Sequence, residues 1–261
     1  MTKLRQPFDL HVHTTWSDAK STPEEVVNAA IARGMEMIGF SDHSYTSHDA
    51  SWGLSASGED EYRAEIKRLK EKYRGKIGIL CGVEQDYYSG RASDEFDYVV
   101  GSVHSVCVDG EHICVDWRES AEAGVRDHFG GDWYAFCETY YAHVADIVAV
   151  TGADIVGHFD LVTIYNEDGE YFDMNCDRYR RAWQAAADKL LLTGAVFEIN
   201  TGAMSRGYRT KPYPAQDIVE YIRARGGRFI LSSDAHTAQN IAYGFDTYAG
   251  EADASLRAVI K

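Results

Sequence analysis

Short apolar runs alternate with amphipathic segments seven times along this chain of 261 residues. The runs have the length and composition of buried β-strands, and the segments between them have helical spacing. This alternation predicts parallel strands joined by helices, in a βα barrel or an open parallel sheet. We expect the strands at residues 9–13, 35–42, 77–84, 98–104, 155–158, 195–200 and 229–234.

Helix ends between these strands are marked in the sequence. Thr22, Pro23 and Glu25 have the spacing of a capping box with proline in the first turn, and Gly34 follows where a left-handed residue can end the helix. Residues 120–152 form a longer insertion with an amphipathic helix. Because we find no linker, we expect a single domain over residues 1–261.

Polar side chains mark the end of every predicted strand. In parallel βα folds these carboxyl ends form one face, where active sites lie. Each residue alone has an ordinary interpretation, as a buried hydrogen-bonded histidine or a helix cap, but six of the ten histidines fall at these positions. The end residues are His11 and His13, Asp42 and His43, Glu84, His104, His158, Glu198 and Asn200, and Asp234 and His236.

Composition excludes several classes of function. The net charge is −15, with 41 acidic against 26 basic residues, which opposes nucleic-acid binding. Five cysteines without a CxxC pair argue against a disulfide framework and against thiolate zinc sites. Neither a signal-peptide pattern nor a membrane-spanning apolar run is present, so we expect a cytoplasmic protein without a membrane partner. The sequence does not indicate the oligomeric state.

Seven motifs, in chain order, resemble those of the polymerase and histidinol phosphatase (PHP) superfamily, and most closely its histidinol-phosphatase branch. They are DLHVHTTWSD, GFSDH, GVEQD, GSVHSV, IVGHFDLV, FEINTGA and LSSDAH. The similarity extends from the first predicted strand to the last. It implies a distorted (β/α)7 TIM-like barrel that holds three divalent metal ions.

The resemblance also implies how the metal ligands are grouped. His11, His13, Glu84 and Asp234 would hold one ion, and Glu84, His104 and His158 a second ion that shares Glu84 with the first. Asp18, His43 and His236 would hold the third. Family members differ at the position of Asp18, where some have histidine. The other eight ligands match the family pattern.

These ligands are imidazoles and carboxylates, which can bind Zn, Mn or Fe, so the ligand types do not indicate which metal is bound. Three divalent ions bring six positive charges, from which Asp18, Glu84, Asp234 and a bridging hydroxide remove four. The remaining two match a phosphomonoester dianion. The resemblance therefore implies a phosphatase that converts L-histidinol phosphate to L-histidinol in histidine biosynthesis, with a metal-bridging hydroxide for in-line attack.

Other roles stay open at this point. Asp234 or His236 is expected to protonate the leaving alkoxide, with Glu84 between the two ions that activate water. Arg206 is our candidate for binding the phosphate, although an ordinary surface arginine would look the same. The alternatives are a related phosphoesterase acting on a nucleotide or another small phosphate ester, and a metal-binding module without turnover. Candidates for contacting the rest of the substrate are Asp160, Tyr165, Asn166 and Tyr208.

Overall fold

Seven parallel strands form the main sheet of this protein, in a computed structural model that describes residues 6–260. Their order in the sheet is their order in the chain, β1-β2-β3-β4-β7-β8-β9, and a separate hairpin pairs β5 with β6. The strands are β1 (Phe8–Asp9), β2 (Met37–Phe40), β3 (Gly78–Asp86), β4 (Tyr98–Ser102), β5 (Ser105–Val108), β6 (Glu111–Cys114), β7 (Ile155–Val156), β8 (Val196–Asn200) and β9 (Phe229–Ser232).

Helices follow the strands along the chain. Four short 3₁₀ turns, at Tyr87–Ser89, Leu161–Thr163, Ala238–Asn240 and Leu256–Ala258, complete the described structure. The helices are α1 (Pro23–Ala32), α2 (Glu59–Lys72), α3 (Arg118–His128), α4 (Trp133–Thr151), α5 (Asp177–Leu191), α6 (Gly202–Ser205), α7 (Gln216–Arg223) and α8 (Phe245–Tyr248). Parallel strands joined in this way confirm the TIM-like α/β barrel of seven strands that the sequence predicts.

The first and last strands meet at a seam that nearly closes the barrel. Val12, beyond the end of β1, forms a parallel bridge with Ala235, beyond the end of β9. Lower in the seam, the side-chain amide of Gln6 takes the place of a strand neighbour. It donates to the Leu231 carbonyl at 2.7 Å and accepts from the Leu231 amide at 2.8 Å. The seam thus satisfies backbone groups of β9 that an open edge would expose.

The barrel interior is filled by apolar side chains, among which Tyr98 is the largest. Its ring lies against Gly82 and its hydroxyl against Gly39, where an added Cβ would come within 2.4 Å of the tyrosine. The hydroxyl donates to the Phe40 carbonyl at 2.9 Å, so this buried polar group is satisfied. Glycine at two neighbouring strands therefore makes the space that one aromatic ring occupies.

Helix capping agrees with the sequence. The Thr22 side chain accepts from the Glu25 amide, and the Glu25 carboxylate accepts in return from the Thr22 amide. The helix α1 that follows buries Val26, Val27 and Ala30 against the sheet. The predicted capping box is therefore confirmed.

Two parts of the fold differ from the sequence prediction. The strand predicted to end at residue 104 is followed by the β5–β6 hairpin, whose Asp109 and Gly110 both have positive φ, of 52° and 88°. This is the geometry that an Asp-Gly hairpin turn favours, and the hairpin is not among the predicted elements. The insertion at residues 120–152 consists of two helices, α3 and α4. Seven strands occur where predicted, several of them shorter, and one domain over residues 1–261 stays a prediction.

Candidate metal centre

Nine polar side chains converge at the carboxyl end of the barrel. Glu84 lies within β3 itself, and the others follow the ends of β1, β2, β4, β7 and β9, where the parallel strands deliver them to one face. Most are buried, while Asp18 and His236 are partly exposed at the rim. The nine residues are His11, His13, Asp18, His43, Glu84, His104, His158, Asp234 and His236.

Glu84 occupies the middle of this cluster. Its carboxylate lies within 3.4 Å of an imidazole nitrogen from each of five histidines, at distances of 2.8 to 3.4 Å. Burial alone would raise the pKa of Glu84, but neighbouring imidazoles, His43 first among them, outweigh burial and lower it well below its usual range. Glu84 therefore stays ionised at the centre. The five histidines are His11, His13, His43, His104 and His158.

Three groups of ligand atoms in this cluster lie close enough to hold one ion each. Within a group, all the ligand atoms are within 4.8 Å of one another. The groups are His11, His13 and Asp234; His43, Glu84 and His104; and His13, Asp18, His43 and His236.

This grouping differs in four ways from the one that the resemblance implies. Glu84 is absent from the first group, and His13 belongs to two groups. His43 belongs to two groups, because its Nδ1 lies 2.8 Å from Glu84 Oε2 and its Nε2 lies 3.7 Å from Asp18 Oδ1. His158 belongs to none of the groups, although its Nε2 lies 3.0 Å from Glu84 Oε1. All nine predicted residues are nevertheless brought together.

Unpartnered buried atoms test whether these residues fit metal ions. The buried Nε2 of His11, both ring nitrogens of His13, and Oε2 of Glu84 have no hydrogen-bond partner among residues 6–260. A buried polar atom without a partner costs about 1–3 kcal/mol. Nε2 of His11 and Nε2 of His13 lie 3.2 Å and 3.4 Å from Oε2 of Glu84, so these unpartnered atoms are close together and indicate a bound group. Burial also lowers the pKa of His13 to about 3, which keeps its imidazole neutral and able to donate a lone pair. The donors therefore fit divalent cations.

Two further carboxylates, outside the cluster, orient two of its histidines by contacting their Nδ1 atoms. Glu198 Oε2 accepts from His11 Nδ1 at 2.8 Å, and its Oε1 accepts from the His158 amide at 2.6 Å and from the Asn200 side chain at 2.8 Å. Asp86 Oδ2 lies 3.2 Å from His104 Nδ1. Such contacts fix which ring nitrogen carries the proton and leave the other free for a ligand.

Glu198 and Asn200 lie at a predicted strand end, but the sequence predicted no role for them, and it did not predict Asp86 as part of the site. The signal was present, because Asp86 is two residues after Glu84 and therefore leaves the same face of β3.

Above the cluster lies a cavity of about 230 Å³. Arg206 lies at its edge and donates to the Asp234 carbonyl at 2.8 Å and to Asp234 Oδ2 at 3.1 Å. Tyr208 lines the cavity and is 54% exposed. The lining residues are Asp18, His43, Glu84, His104, Asp116, His158, Leu161, Ile164, Arg206, Tyr208, Asp234 and His236.

Three of the four substrate-contact candidates, Asp160, Tyr165 and Asn166, are not among the residues that line this cavity. Asp160 is fully buried, accepts from the Ala215 amide at 2.9 Å and is not among the lining residues. Asn166 is also buried, and its side chain accepts from the Tyr171 and Phe172 amides, so it stabilises a loop. Asp160 follows His158 by two residues, but the chain turns at this point and directs the Asp160 carboxylate into the core. Proximity in sequence to a cluster residue is therefore misleading here.

No helix within residues 6–260 has both the length and the apolar character needed to cross a bilayer.

Comparison with known proteins gives consistent results for fold and family. The protein named "Probable histidinol-phosphatase" from Schizosaccharomyces pombe is 28% identical over 253 residues, covering 88% of this chain and 80% of the relative. Histidinol-phosphatase from Bacillus subtilis is 23% identical, covering 93% of this chain and 98% of the relative.

Among solved structures, a Listeria monocytogenes protein assigned as a histidinol phosphatase matches with a TM-score of 0.81 at 19% identity, covering 92% of this chain and 99% of that one. Histidinol phosphate phosphatase from Lactococcus lactis, complexed with zinc, L-histidinol and phosphate, matches with a TM-score of 0.65 at 21% identity, covering 94% and 92%. The model of the PHP domain matches residues 9–202. The chain therefore belongs to the PHP domain family, in the branch whose full-length relatives are named histidinol-phosphatases.

Proposed function

We propose that this protein is a metal-dependent phosphomonoesterase that hydrolyses L-histidinol phosphate to L-histidinol and phosphate. The observation that carries the proposal is the convergence of eight imidazole and carboxylate side chains around the buried carboxylate of Glu84. The names of relatives that match over most of the chain support the choice of substrate. Cytoplasmic location and the lack of nucleic-acid binding stay predictions from the sequence.

Three divalent ions are proposed as cofactors, held by the nine cluster residues. When bound, such ions acidify water and neutralise the charge of a phosphoryl group. Glu198 and Asp86 hold the rings of His11 and His104 so that one nitrogen of each points into the cluster. Because every ligand is nitrogen or oxygen, zinc, manganese and iron all remain compatible with the site.

The chain's own residues bind and orient the ester. Arg206, held by Asp234 at the edge of the cavity, presents a guanidinium group to the phosphate. Asp234 and His236 both line the cavity, and one of them supplies the proton for the departing alkoxide. Burial of most of the cluster limits access of bulk water to the reacting group.

The test combines metal analysis with kinetics. Elemental analysis of the purified protein is expected to find close to three divalent ions per chain, and steady-state assays should show higher kcat/KM on histidinol phosphate than on AMP. His104→Ala should lower kcat/KM more than about 100-fold, because losing a metal ligand costs more than losing its hydrogen-bond partner.

His128→Ala is the matched control, since His128 contacts Glu111 away from the cluster. A metal-free protein with full phosphatase activity would refute the proposal. Higher kcat/KM on AMP would favour the nucleotide alternative, and metal binding without turnover would favour the metal-binding module.

A further inference from the structure

One carboxylate in the cavity is not used by the histidine cluster. Four acidic residues line the cavity, and three of them, Asp18, Glu84 and Asp234, contact histidines. The fourth, Asp116, contacts none of them. It lies in the segment between the β5–β6 hairpin and α3, which the sequence analysis did not connect with the site.

The position of Asp116 is fixed by its neighbours, and its carboxylate interacts with Arg206 and His104 only at longer range, without a direct ion pair. Its backbone carbonyl accepts from the Tyr165 hydroxyl at 2.6 Å, and its Oδ1 accepts from Cys114 Sγ at 3.0 Å. Arg118, two residues further on, pairs with Glu170 at 3.2 Å and lies over the Tyr165 ring. Within residues 6–260, no basic side chain forms an ion pair with Asp116.

The wall around Asp116 is apolar and aromatic. Leu161 and Ile164 line the same cavity, and Tyr208 projects into it with 54% of its surface exposed. Tyr165 connects the two sides, because it bonds the Asp116 backbone and packs edge to face against Tyr208 at 6.2 Å. A lone carboxylate beside exposed aromatic surface is favourable for an organic cation, which gains both charge pairing and cation–π contact.

The cavity thus has two chemically different regions. The region with Arg206 and the histidine cluster suits an anion once the ions are bound, whereas the region with Asp116 and Tyr208 suits a cation. A substrate that fits both regions carries a phosphate and, on its alcohol portion, a positive charge.

We propose that Asp116, together with Tyr208, binds the positively charged group on the alcohol portion of the substrate and so selects cationic phosphate esters over neutral ones. The proposal rests on the proposed phosphatase function and assigns the role for which the sequence had suggested Asp160.

The experiment compares Asp116→Asn with wild type on histidinol phosphate and on phenyl phosphate, which is uncharged outside its phosphate. Asparagine keeps the size and the acceptor for Cys114 but removes the charge. We expect the ratio of kcat/KM for histidinol phosphate to kcat/KM for phenyl phosphate to fall about tenfold, as for a partly exposed ion pair with a hydrogen bond. The difference in this ratio between wild type and Asp116→Asn should become smaller as the NaCl concentration is raised, because salt screens the charge of Asp116.

Asp94→Asn is the matched control, since Asp94 is exposed in the loop that leads into the amino end of β4, on the opposite side of the barrel. It should leave the ratio unchanged. An unchanged ratio in Asp116→Asn, whether both activities stay or both fall equally, would overturn the proposal.

Failure of the proposed function gives a different result. A wild-type enzyme that hydrolyses phenyl phosphate but not histidinol phosphate would refute histidinol phosphate as the substrate. The role of Asp116 would then be decided by the ratio of kcat/KM for phosphoethanolamine, whose amine is cationic, to kcat/KM for ethyl phosphate, which has no cationic group. A ratio unaffected by Asp116→Asn would overturn the proposal in that case as well.

Discussion

Replacing Glu198 by glutamine is expected to weaken metal binding without unfolding the barrel. Glu198 is fully buried in β8 and accepts three hydrogen bonds. Burial would raise its pKa, but His11 outweighs burial and lowers it, so the side chain is a carboxylate that can only accept. His11 Nδ1 must therefore carry the proton, which leaves Nε2 free to face the cluster.

Glutamine changes the proton position on His11. Two donors, the His158 amide and the Asn200 side chain, point at Oε1 and will hold the amide oxygen there. The amide NH₂ then faces His11 Nδ1, so the imidazole has to move its proton to Nε2 or lose the contact. Because a protonated Nε2 cannot bind a metal, we expect zinc affinity and kcat/KM to fall about 10- to 100-fold.

Zinc affinity is measured by competition with a chromophoric chelator, and folding by thermal melts followed by circular dichroism. Asp42→Asn is the matched control. Asp42 is also fully buried and also accepts three hydrogen bonds, from the Thr14 amide, the Thr14 hydroxyl and the Ser17 hydroxyl, but none from an imidazole. It should lower the melting temperature and leave zinc affinity unchanged. Equal zinc affinities for wild type and Glu198→Gln would refute the reasoning about His11.

Three further predictions concern other parts of the molecule. Gly82→Ala places a methyl group 2.4 Å from the Tyr98 ring and should lower the free energy of unfolding by about 1–3 kcal/mol in denaturant titrations, whereas Gly250→Ala, with open space around it, should change it by less than about 0.5 kcal/mol. Arg206→Ala should chiefly raise KM, with a loss of about two decades in kcat/KM, while Asp234→Ala should chiefly lower kcat; an Arg206→Ala enzyme with unchanged kcat/KM would make Arg206 an ordinary surface residue. Burial raises the pKa of Cys81 to about 12 and also raises that of Cys137, so both thiols stay protonated at pH 8. A thiol reagent should therefore leave these two unlabelled in the native protein and label all five cysteines in denaturant, and rapid labelling of Cys137 in the native state would contradict the burial argument.

Much of this fold was predictable because the sequence carries two separate signals for each strand. Each has an apolar run, and each ends in a polar residue that a core would not place there, as at His104 and His158. The β5–β6 hairpin was missed because its strands are only four residues long and directly follow β4, so the predicted strand ended at residue 104 and residues 105–114 were assigned to no element.

The cluster residues were identified by strand position, but the residues around them depend on side-chain direction. Asp160 and Asp116 show the difference. Asp160 follows a predicted strand end by two residues and is directed into the core, whereas Asp116 is brought to the cavity by a hairpin that the sequence analysis did not recognise. The direction of each carboxylate depends on a backbone turn that local sequence patterns do not predict.

The seam between the first and last strands has a consequence for biosynthesis. His11 and His13 flank Val12, whose bridge partner Ala235 is next to Asp234, so the two histidines meet that carboxylate only after β9 has emerged from the ribosome. A nascent chain that ends before residue 229 has neither the seam nor this group of donors. Closing a loop of more than 200 residues is also entropically costly, and cations that bind only the closed form would favour it by mass action. Metal uptake by this group therefore requires synthesis to have passed β9, and a product terminated before β9 would lack both the seam and the group of donors.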